Sequence, residues 1–215
     1  MSKSKERINN FGEVFTSHRE VNAMLDLVRD ESSRIDSRFL EPACGNGNFL
    51  CEILNRKIAI VKKKYSQSQT EFERYAFLAV SSLYGVDILE DNVFECRKRI
   101  KDLIDLIYTK QFELPNDKFI HSIEFVLLKN ILHGDALKLT CSDGITPLVF
   151  SEWNFVTRSQ IKRIEYTLAD LLAYQHSGST DLFSDLGDEA FIAPVHKIYK
   201  LHHFLDLNEA QYEKL

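Results

Sequence analysis

Three short apolar runs, each followed by a turn that carries a glycine or a carboxylate, constrain this sequence more than any other feature. The first run, RFLEPAC, covers residues 38–44, and a helical pattern restarts at Asn48; the second, LYGVDI, covers 83–88, and the third, NILHGDAL, covers 130–137. Segments with helical periodicity separate these runs. Short buried strands that alternate with helices predict an α/β fold with an open, mainly parallel sheet, in which ligands bind beyond the carboxyl ends of the strands.

Apolar residues at helical spacing predict several helices, and one further run predicts a strand. The predicted helices are 18–28, with its stripe at Val21, Met24, Leu25 and Val28, the segment that starts at Asn48, the second part of 65–82, 92–110 and 160–175. PLVF at 147–150 predicts a fourth strand. Residues 197–207 fit a strand, a helix or a docking tail equally well.

Composition excludes several classes of protein. The 215 residues include only 8 glycines and 4 prolines, which excludes collagen-like and low-complexity chains, and 44% hydrophobic residues suit one globular domain. The four cysteines have neither a zinc-site nor a disulfide spacing, so we expect reduced thiols and no bound metal. Since the N-terminus is polar and no apolar stretch reaches about 18 residues, we expect a soluble, cytoplasmic protein without membrane contact.

Charge is unevenly distributed along the chain. The formal net charge is −5; residues 1–110 carry 18 Lys and Arg against 17 Asp and Glu, whereas residues 111–215 carry 9 against 15. An acidic C-terminal half is a poor surface for the phosphate backbone of DNA. If nucleic acid is the substrate, the basic contacts must therefore be local or come from a partner chain.

Groups suited to bind a nucleoside follow the three predicted strands in turn. A glycine turn, Cys44 to Gly47, allows a ligand to approach the backbone at the start of a helix. Asp87 follows the second strand, where a carboxylate can accept from the hydroxyl groups of a ribose. Asp135 follows the third strand and can accept from an exocyclic amine. Together they predict a nucleoside-bearing ligand that lies across the strand ends.

The segments FGEVFTSHREVNAMLDLV, FLEPACGNGNFL, GVDI and HGDAL resemble, in this order, the motif series of S-adenosylmethionine-dependent adenine-N6 DNA methyltransferases of restriction-modification systems. The resemblance covers residues 11 to about 150, and the Phe-Thr segment comes first, as in the gamma order of these enzymes. It implies a Rossmann-like class I methyltransferase core over 1–155, with S-adenosylmethionine as cofactor. Residues 156–215 are then a helical, acidic extension of the same domain.

The resemblance also implies a role for individual residues of the cofactor site. By this analogy Phe15 and Thr16 hold the methionine end; Glu41 and the turn residues Ala43, Cys44, Gly45, Asn46 and Gly47 cradle the amino-acid part; Phe49 packs behind the turn; Asp87 and Ile88 hold ribose and adenine; and Asp135 bonds the adenine amine.

The sequence departs from the family at the target-base motif. The family has Asn-Pro-Pro-Tyr or a close variant after its fourth strand, whereas this chain has Ser151-Glu152-Trp153-Asn154-Phe155 and no Pro-Pro pair anywhere. A Ser151 oxygen and the Glu152 carbonyl are candidates to accept the two N–H bonds of the target amine, and Trp153 or Phe155 to stack on a flipped base. Ser151, Glu152 and Trp153 are therefore the candidate catalytic residues.

Simpler roles remain open for several of these residues. Asp87 and Thr16 are also candidate helix caps, Asp135 a common Gly-Asp turn, and Trp153 a core residue.

The hypothesis is a DNA adenine-N6 methyltransferase that acts with a partner recognition chain. One alternative is a cofactor-binding, catalytically degenerate subunit that supports or regulates a partner chain. Another is a methyltransferase for a small molecule or a protein, which the acidic surface fits better than it fits DNA.

Overall fold

A computed structural model describes Arg7, residues 16–176, residues 194–207 and residues 212–213. Phe15 and Gly12, which belong to the Phe-Thr segment, lie outside the described residues.

The described residues form seven α-helices. Their bounds are α1 (His18–Leu27), α2 (Arg29–Ser33), α3 (Asn48–Tyr65), α4 (Gln69–Ser81), α5 (Glu90–Gln111), α6 (Asp117–Asn130) and α7 (Leu168–His176). Local sequence explains several of the starts: Ser17 forms a capping box with Glu20 before α1, and Ser68 and Asn116 accept backbone N–H groups at the starts of α4 and α6.

Within the described ranges nine strands form two sheets, and the first sheet confirms the prediction of an α/β fold. The bounds are β1 (Phe39–Glu41), β2 (Leu83–Asp87), β3 (Ile131–Asp135), β4 (Thr140–Cys141), β5 (Val149–Phe155), β6 (Gln160–Thr167), β7 (Lys197–Tyr199), β8 (His202–His203) and β9 (Tyr212–Glu213). The first sheet has the order β1-β2-β3-β4, with β1, β2 and β3 parallel and β4 antiparallel. Helices connect its parallel strands, as parallel pairing requires.

Side chains of β2 alternate between two hydrophobic clusters, one on each face of the first sheet. Leu83 belongs to the larger cluster, which contains most buried residues of α3 to α6. Tyr84 and Val86 belong to the smaller cluster, in which Leu148, Phe150 and Leu168 cover them. Because all five residues of β2 are buried, this strand lies at the centre of the fold.

The second sheet is antiparallel and overturns part of the prediction for the C-terminal region. The prediction of a helix over 160–175 is wrong for its first half, because Gln160–Thr167 forms β6, whose residues 161–167 pair with Val149–Phe155. Within 160–175, the helix begins only at Leu168. The part of 156–215 that the structure describes therefore contains four strands as well as the helix Leu168–His176. The predicted fourth strand exists as β5, but its pairing partner is β6 rather than a strand of the parallel sheet.

Two smaller differences concern the helices. The predicted stripe of α1 is only half buried: Val21 and Leu25 are in the core, but Met24 and Val28 are exposed. Helix α6, which the sequence did not predict, packs Phe119, Ile123, Val126 and Leu127 into the larger cluster and leads directly into β3.

None of the helices in the described ranges combines the length and apolarity needed to cross a lipid bilayer.

Candidate binding site at the strand ends

The carboxyl ends of β1, β2 and β3 bring three acidic residues to the same edge and the same face of the first sheet. Glu41 is in register with Gly85, and Asp87 is in register with His133, two residues before Asp135. The larger cluster includes one residue from the start of each strand: Phe39, Leu83 and Ile131. The acidic residue of each strand, Glu41, Asp87 or Asp135, follows it by two or four residues. Alternation therefore directs all three carboxylates towards the helix-covered face.

The glycine turn between β1 and α3 adopts left-handed backbone conformations that favour glycine. Gly45 and Gly47 have φ angles of 51° and 88°, and Gly47 is the residue that caps α3. A Cβ atom at Gly47 would lie 2.6 Å from the Sγ atom of Cys96 in α5. The turn is tied to the sheet by the Cys44 N–H, which donates to the Val86 carbonyl at 2.8 Å, and is closed by the Gly47 N–H, which donates to the Cys44 carbonyl at 2.9 Å.

Asp87 joins the glycine turn to the start of α5. Its Oδ2 atom accepts from the Gly45 N–H at 2.8 Å, and its Oδ1 atom accepts from the Leu89 N–H at 2.9 Å and from the Asn92 Nδ2 atom at 3.1 Å. The residue is only 8% exposed. An ionised carboxylate offers about four lone-pair positions, so three internal bonds leave room for about one more donor, on Oδ2.

Arg99 of α5 braces the same turn from the helix side. Its Nη1 atom donates to the Asn46 carbonyl at 2.7 Å and to the Asn48 Oδ1 atom at 2.9 Å. The Asn48 Nδ2 atom in turn donates to the Thr16 carbonyl at 3.0 Å. Thr16 therefore lies beside the first residue of α3, although Ser17 rather than Thr16 caps α1.

Asp135 is more exposed than Asp87 and holds a tight turn after β3. Its Oδ1 atom accepts from the Leu137 N–H at 2.9 Å and the Lys138 N–H at 3.2 Å, and the Lys138 ammonium lies 3.3 Å from Oδ2. These contacts, the Lys138 N–H first, lower the pKa of Asp135. Asp135 is therefore ionised at neutral pH and is placed to accept a further donor from solvent or a ligand.

The remaining residues of the predicted cofactor site border this edge. Burial raises the pKa of Glu41, whose Oε1 atom is 3.5 Å from the Ala43 N–H. Ile88 is 51% exposed, and its carbonyl lies 3.1 Å from the His133 Nε2 atom. Phe49 packs against the larger cluster behind the turn.

The turn also holds one buried polar atom, the Asn46 Oδ1, that has no hydrogen-bond partner among the described residues.

Two buried thiols lie directly beneath the turn. Cys44 and Cys96 are 6% and 0% exposed, and a hydrogen bond to Cys96, together with burial, raises the pKa of the Cys44 thiol. All four cysteines of the chain are free. Cys44 is therefore a protonated packing residue of the turn and not a nucleophile.

The candidate catalytic residues lie within β5 and two of them are in the core, which corrects the prediction that they follow a strand end. Ser151 is 1% exposed, and its Oγ atom accepts from the Arg163 Nε atom at 2.9 Å. Trp153 is 4% exposed and packs edge-on against Phe77 and Phe125. Two side chains inside the protein cannot contact a flipped base, so their placement does not support the predicted target-base site.

Glu152 points away from that core and joins the two sheets. It forms an ion pair with Arg38, which precedes β1, and it accepts a hydrogen bond from Tyr166, raising the pKa of that tyrosine to about 12 together with burial. Glu152 thus has a structural role between the sheets.

The sequence did not predict the roles of two α5 residues: Asn92, which donates to Asp87, and Arg99, which donates to the glycine turn. Asn92 reads as a helix cap, and Arg99 stands in a cationic run typical of a solvated helix face. A single sequence carries no signal for Arg99, because its partner Asn48 is 51 residues away.

In the described part of the chain, no group of three or more His, Cys, Asp or Glu side chains is arranged to hold a metal ion. Comparison of the chain with protein-family models, with curated proteins and with solved structures gave no match.

Proposed function

We propose that this chain binds S-adenosylmethionine at the carboxyl ends of β1, β2 and β3, and that it is the cofactor-binding chain of a DNA adenine-N6 methyltransferase of the restriction-modification kind. In this proposal a partner chain supplies DNA recognition and the contacts to the target base. The fold it requires is a Rossmann-like methyltransferase core, with which three parallel strands connected by helices are compatible.

The observation that carries the proposal is the bond between Asp87 and Gly45, which draws the end of β2 against the glycine turn. A ligand at this edge meets the N-terminus of the 18-residue helix α3, where the helix dipole favours an anion such as an amino-acid carboxylate. It also meets the free acceptor position of Asp87 and the ionised Asp135. These groups suit the methionine carboxylate, a ribose hydroxyl and the adenine amine respectively.

The chain's own residues bind and orient the ligand. When bound, S-adenosylmethionine supplies a methyl group on a sulfonium centre for transfer to a nucleophile. The half-buried Glu41 contributes a carboxylate at the end of β1, beside the turn, where a neighbouring cation would lower its raised pKa. Ser151 and Trp153 are buried and the Glu152 carboxylate is paired with Arg38, so the proposal assigns activation of the adenine amine to a partner chain.

A second candidate function is a cofactor-binding subunit without catalytic activity, which regulates or stabilises a partner. The burial of Ser151 and Trp153 favours it, since the chain then has no target-base site to contribute. The two functions share the same ligand and differ only in methyl transfer.

Binding is tested by titrating S-adenosylmethionine into the purified protein in a calorimeter, with two matched variants. Asp135 is half-buried and Asp143 is exposed, and each accepts from the N–H groups two and three residues ahead. Only Asp135 lies at the carboxyl end of one of the parallel strands; Asp143 follows the antiparallel strand β4. We expect Asp135→Ala to weaken binding about 10-fold or more and Asp143→Ala to leave it unchanged. Equal affinities in all three proteins, or no binding by the wild type, would overturn the proposal.

Methyl transfer separates the two candidates. We expect incorporation of tritiated methyl groups into adenine-containing duplex DNA only when the protein is combined with products of neighbouring genes. Binding of the cofactor without incorporation under any pairing supports the regulatory subunit instead.

A further inference from the structure

Arg99 is the one cation of α5 whose guanidinium contacts the glycine turn directly. It is partly buried and donates to a main-chain carbonyl of the turn, that of Asn46, and to the side chain of Asn48, the first residue of α3. These bonds connect α5 to a segment 51 to 53 residues earlier in the chain. Charge-assisted bonds of this kind are about twice as strong as neutral ones, such as the bond from the Gly47 N–H to the Cys44 carbonyl.

The contact with Asn48 also sets the direction of an amide group. Because the Arg99 guanidinium can only donate, it requires the Oδ1 atom of Asn48 on its side. The Nδ2 atom of Asn48 must then face the opposite way, where it donates to the Thr16 carbonyl. A chain of bonds therefore runs from α5 through the start of α3 to Thr16, two residues before α1.

We propose that Arg99 is a positioning residue of the candidate site: it holds the glycine turn, and through Asn48 the chain at Thr16, in the arrangement that binds the nucleoside ligand. The inference rests on the proposed function for the identity of the ligand, S-adenosylmethionine. The positioning itself is a property of the ligand-free protein and can be measured without it.

Arg97 provides a matched control two residues away on the same helix. Its guanidinium also donates to main-chain carbonyls, those of Ile131 and Leu128, at the junction of α6 and β3. Both arginines thus join α5 to a carbonyl of another segment, and only Arg99 contacts the turn. Arg99→Met and Arg97→Met remove comparable bonds at different places.

The first measurement is hydrogen exchange of the ligand-free proteins at the amides of Cys44, Gly45 and Gly47, which are hydrogen-bonded in the structure. We expect Arg99→Met to accelerate exchange at these three amides about 10-fold or more, and Arg97→Met to leave it unchanged. Equal exchange rates in Arg99→Met and the wild type would overturn the proposal.

The second measurement is the affinity for S-adenosylmethionine. We expect Arg99→Met to weaken binding about 10- to 100-fold, and Arg99→Lys to recover part of the loss, because an ammonium group can still donate to the Asn46 carbonyl. If Arg99→Met binds as tightly as Arg97→Met, Arg99 does not position the ligand. If the wild type itself does not bind, the proposed function fails, and selective exchange in Arg99→Met still supports the positioning of the turn.

Asn48→Asp tests the relay without removing the arginine, and it is also the variant to use if Arg99→Met does not fold. An aspartate at this position can accept from Arg99 more strongly than the amide does, but it cannot donate to the Thr16 carbonyl. We expect the turn amides to keep their slow exchange while affinity for the cofactor falls. An unchanged affinity would show that Thr16 is not held through Asn48 for binding.

Discussion

The Oδ2 atom of Asp87 accepts a hydrogen bond from the backbone N–H of Gly45 at 2.8 Å, although 42 residues separate the two along the chain. This bond holds the end of β2 against the glycine turn that follows the neighbouring strand β1. It gives Asp87 two roles at once, since the carboxylate that is proposed to bind a ribose hydroxyl also fixes the backbone beside it.

Asp87→Asn should lower both the stability of the protein and its affinity for S-adenosylmethionine. Gly45, Leu89 and Asn92 all donate to the carboxylate. Whichever way the new amide is turned, its NH2 group faces at least one of these donors, which leaves a buried polar group unsatisfied at a loss of about 1–3 kcal/mol. Chemical denaturation measures the first effect and calorimetric titration the second. A variant as stable as the wild type would show that the carboxylate does not hold the turn.

Gly47→Ala should destabilise the protein more than Gly144→Ala. Both glycines have positive φ angles, 88° and 69°, so each substitution introduces strain of about 1–2 kcal/mol. A Cβ atom at Gly144 meets open space, whereas at Gly47 it meets Cys96. The crowding adds about 1–3 kcal/mol at Gly47 alone. Unfolding in urea gives both values, and Gly47→Ala/Cys96→Ala should recover only the part due to crowding. Equal losses for the two single variants would contradict the close contact.

Lys57 should make stability increase with pH in the alkaline range. Its side chain is fully buried, the ammonium donates to the Ser37 carbonyl and the Ser82 hydroxyl, and burial lowers its pKa to about 7. Between pH 7 and the ordinary lysine pKa of about 10.4, the unfolded chain binds a proton that the folded chain does not.

The free energy of unfolding should therefore rise with pH by up to about 1.4 kcal/mol per unit in this window, and the gain is lost as the pH falls towards 7. The difference between the wild type and Lys57→Met, followed from pH 6 to 10 by denaturation, isolates this residue from others that titrate there. Parallel curves for the two proteins would show that Lys57 keeps its proton in the fold.

Trp153 is the sole tryptophan, so fluorescence excited at the red edge of the absorption band, where tyrosine does not absorb, reports on this residue alone. Because Trp153 is 4% exposed, iodide should quench the emission weakly in the native protein and strongly after unfolding in urea. Adenine-containing DNA should leave the emission unchanged. Strong quenching in the native state, or a change with DNA, would place the indole at a surface that a base can reach.

Strands β1 to β3 and helices α3 to α5 could be predicted because their patterns are local. All residues of β2 are buried, and the apolar stripe of α5 buries Val93, Cys96, Ile100 and Ile104. Residues 160–167 were mistaken for a helix for a physical reason. Ile161 and Ile164 fit helical spacing. In the strand, however, the buried residues are Ile161 and Arg163, two positions apart, and a charged residue is not recognised as part of a hydrophobic pattern.

In the candidate site, too, some residues could be predicted from local sequence and others could not. Glycines and carboxylates after strands mark a binding edge in the sequence, because the turn and the ends of parallel strands follow directly from chain order. The groups that position these residues could not be predicted from chain order. Arg99 contacts the turn and Asn92 contacts Asp87, both from a helix whose packing depends on the whole fold. The target-base residues were misplaced because β5 continues to Phe155, through its pairing with β6, instead of ending at Phe150.

The connection between the paired strands β5 and β6 of the second sheet is much shorter than that between β1 and β2 of the first, and this difference affects folding kinetics. The hairpin of β5 and β6 is closed by residues 156–159, whereas β2 can pair with β1 only after α3 and α4 have been placed between them. Short loops close quickly and hairpins form within about 1–10 μs, while non-local parallel pairing is slow. We therefore expect the hairpin to form early after dilution from denaturant and the edge that carries Glu41, Asp87 and Asp135 to form last.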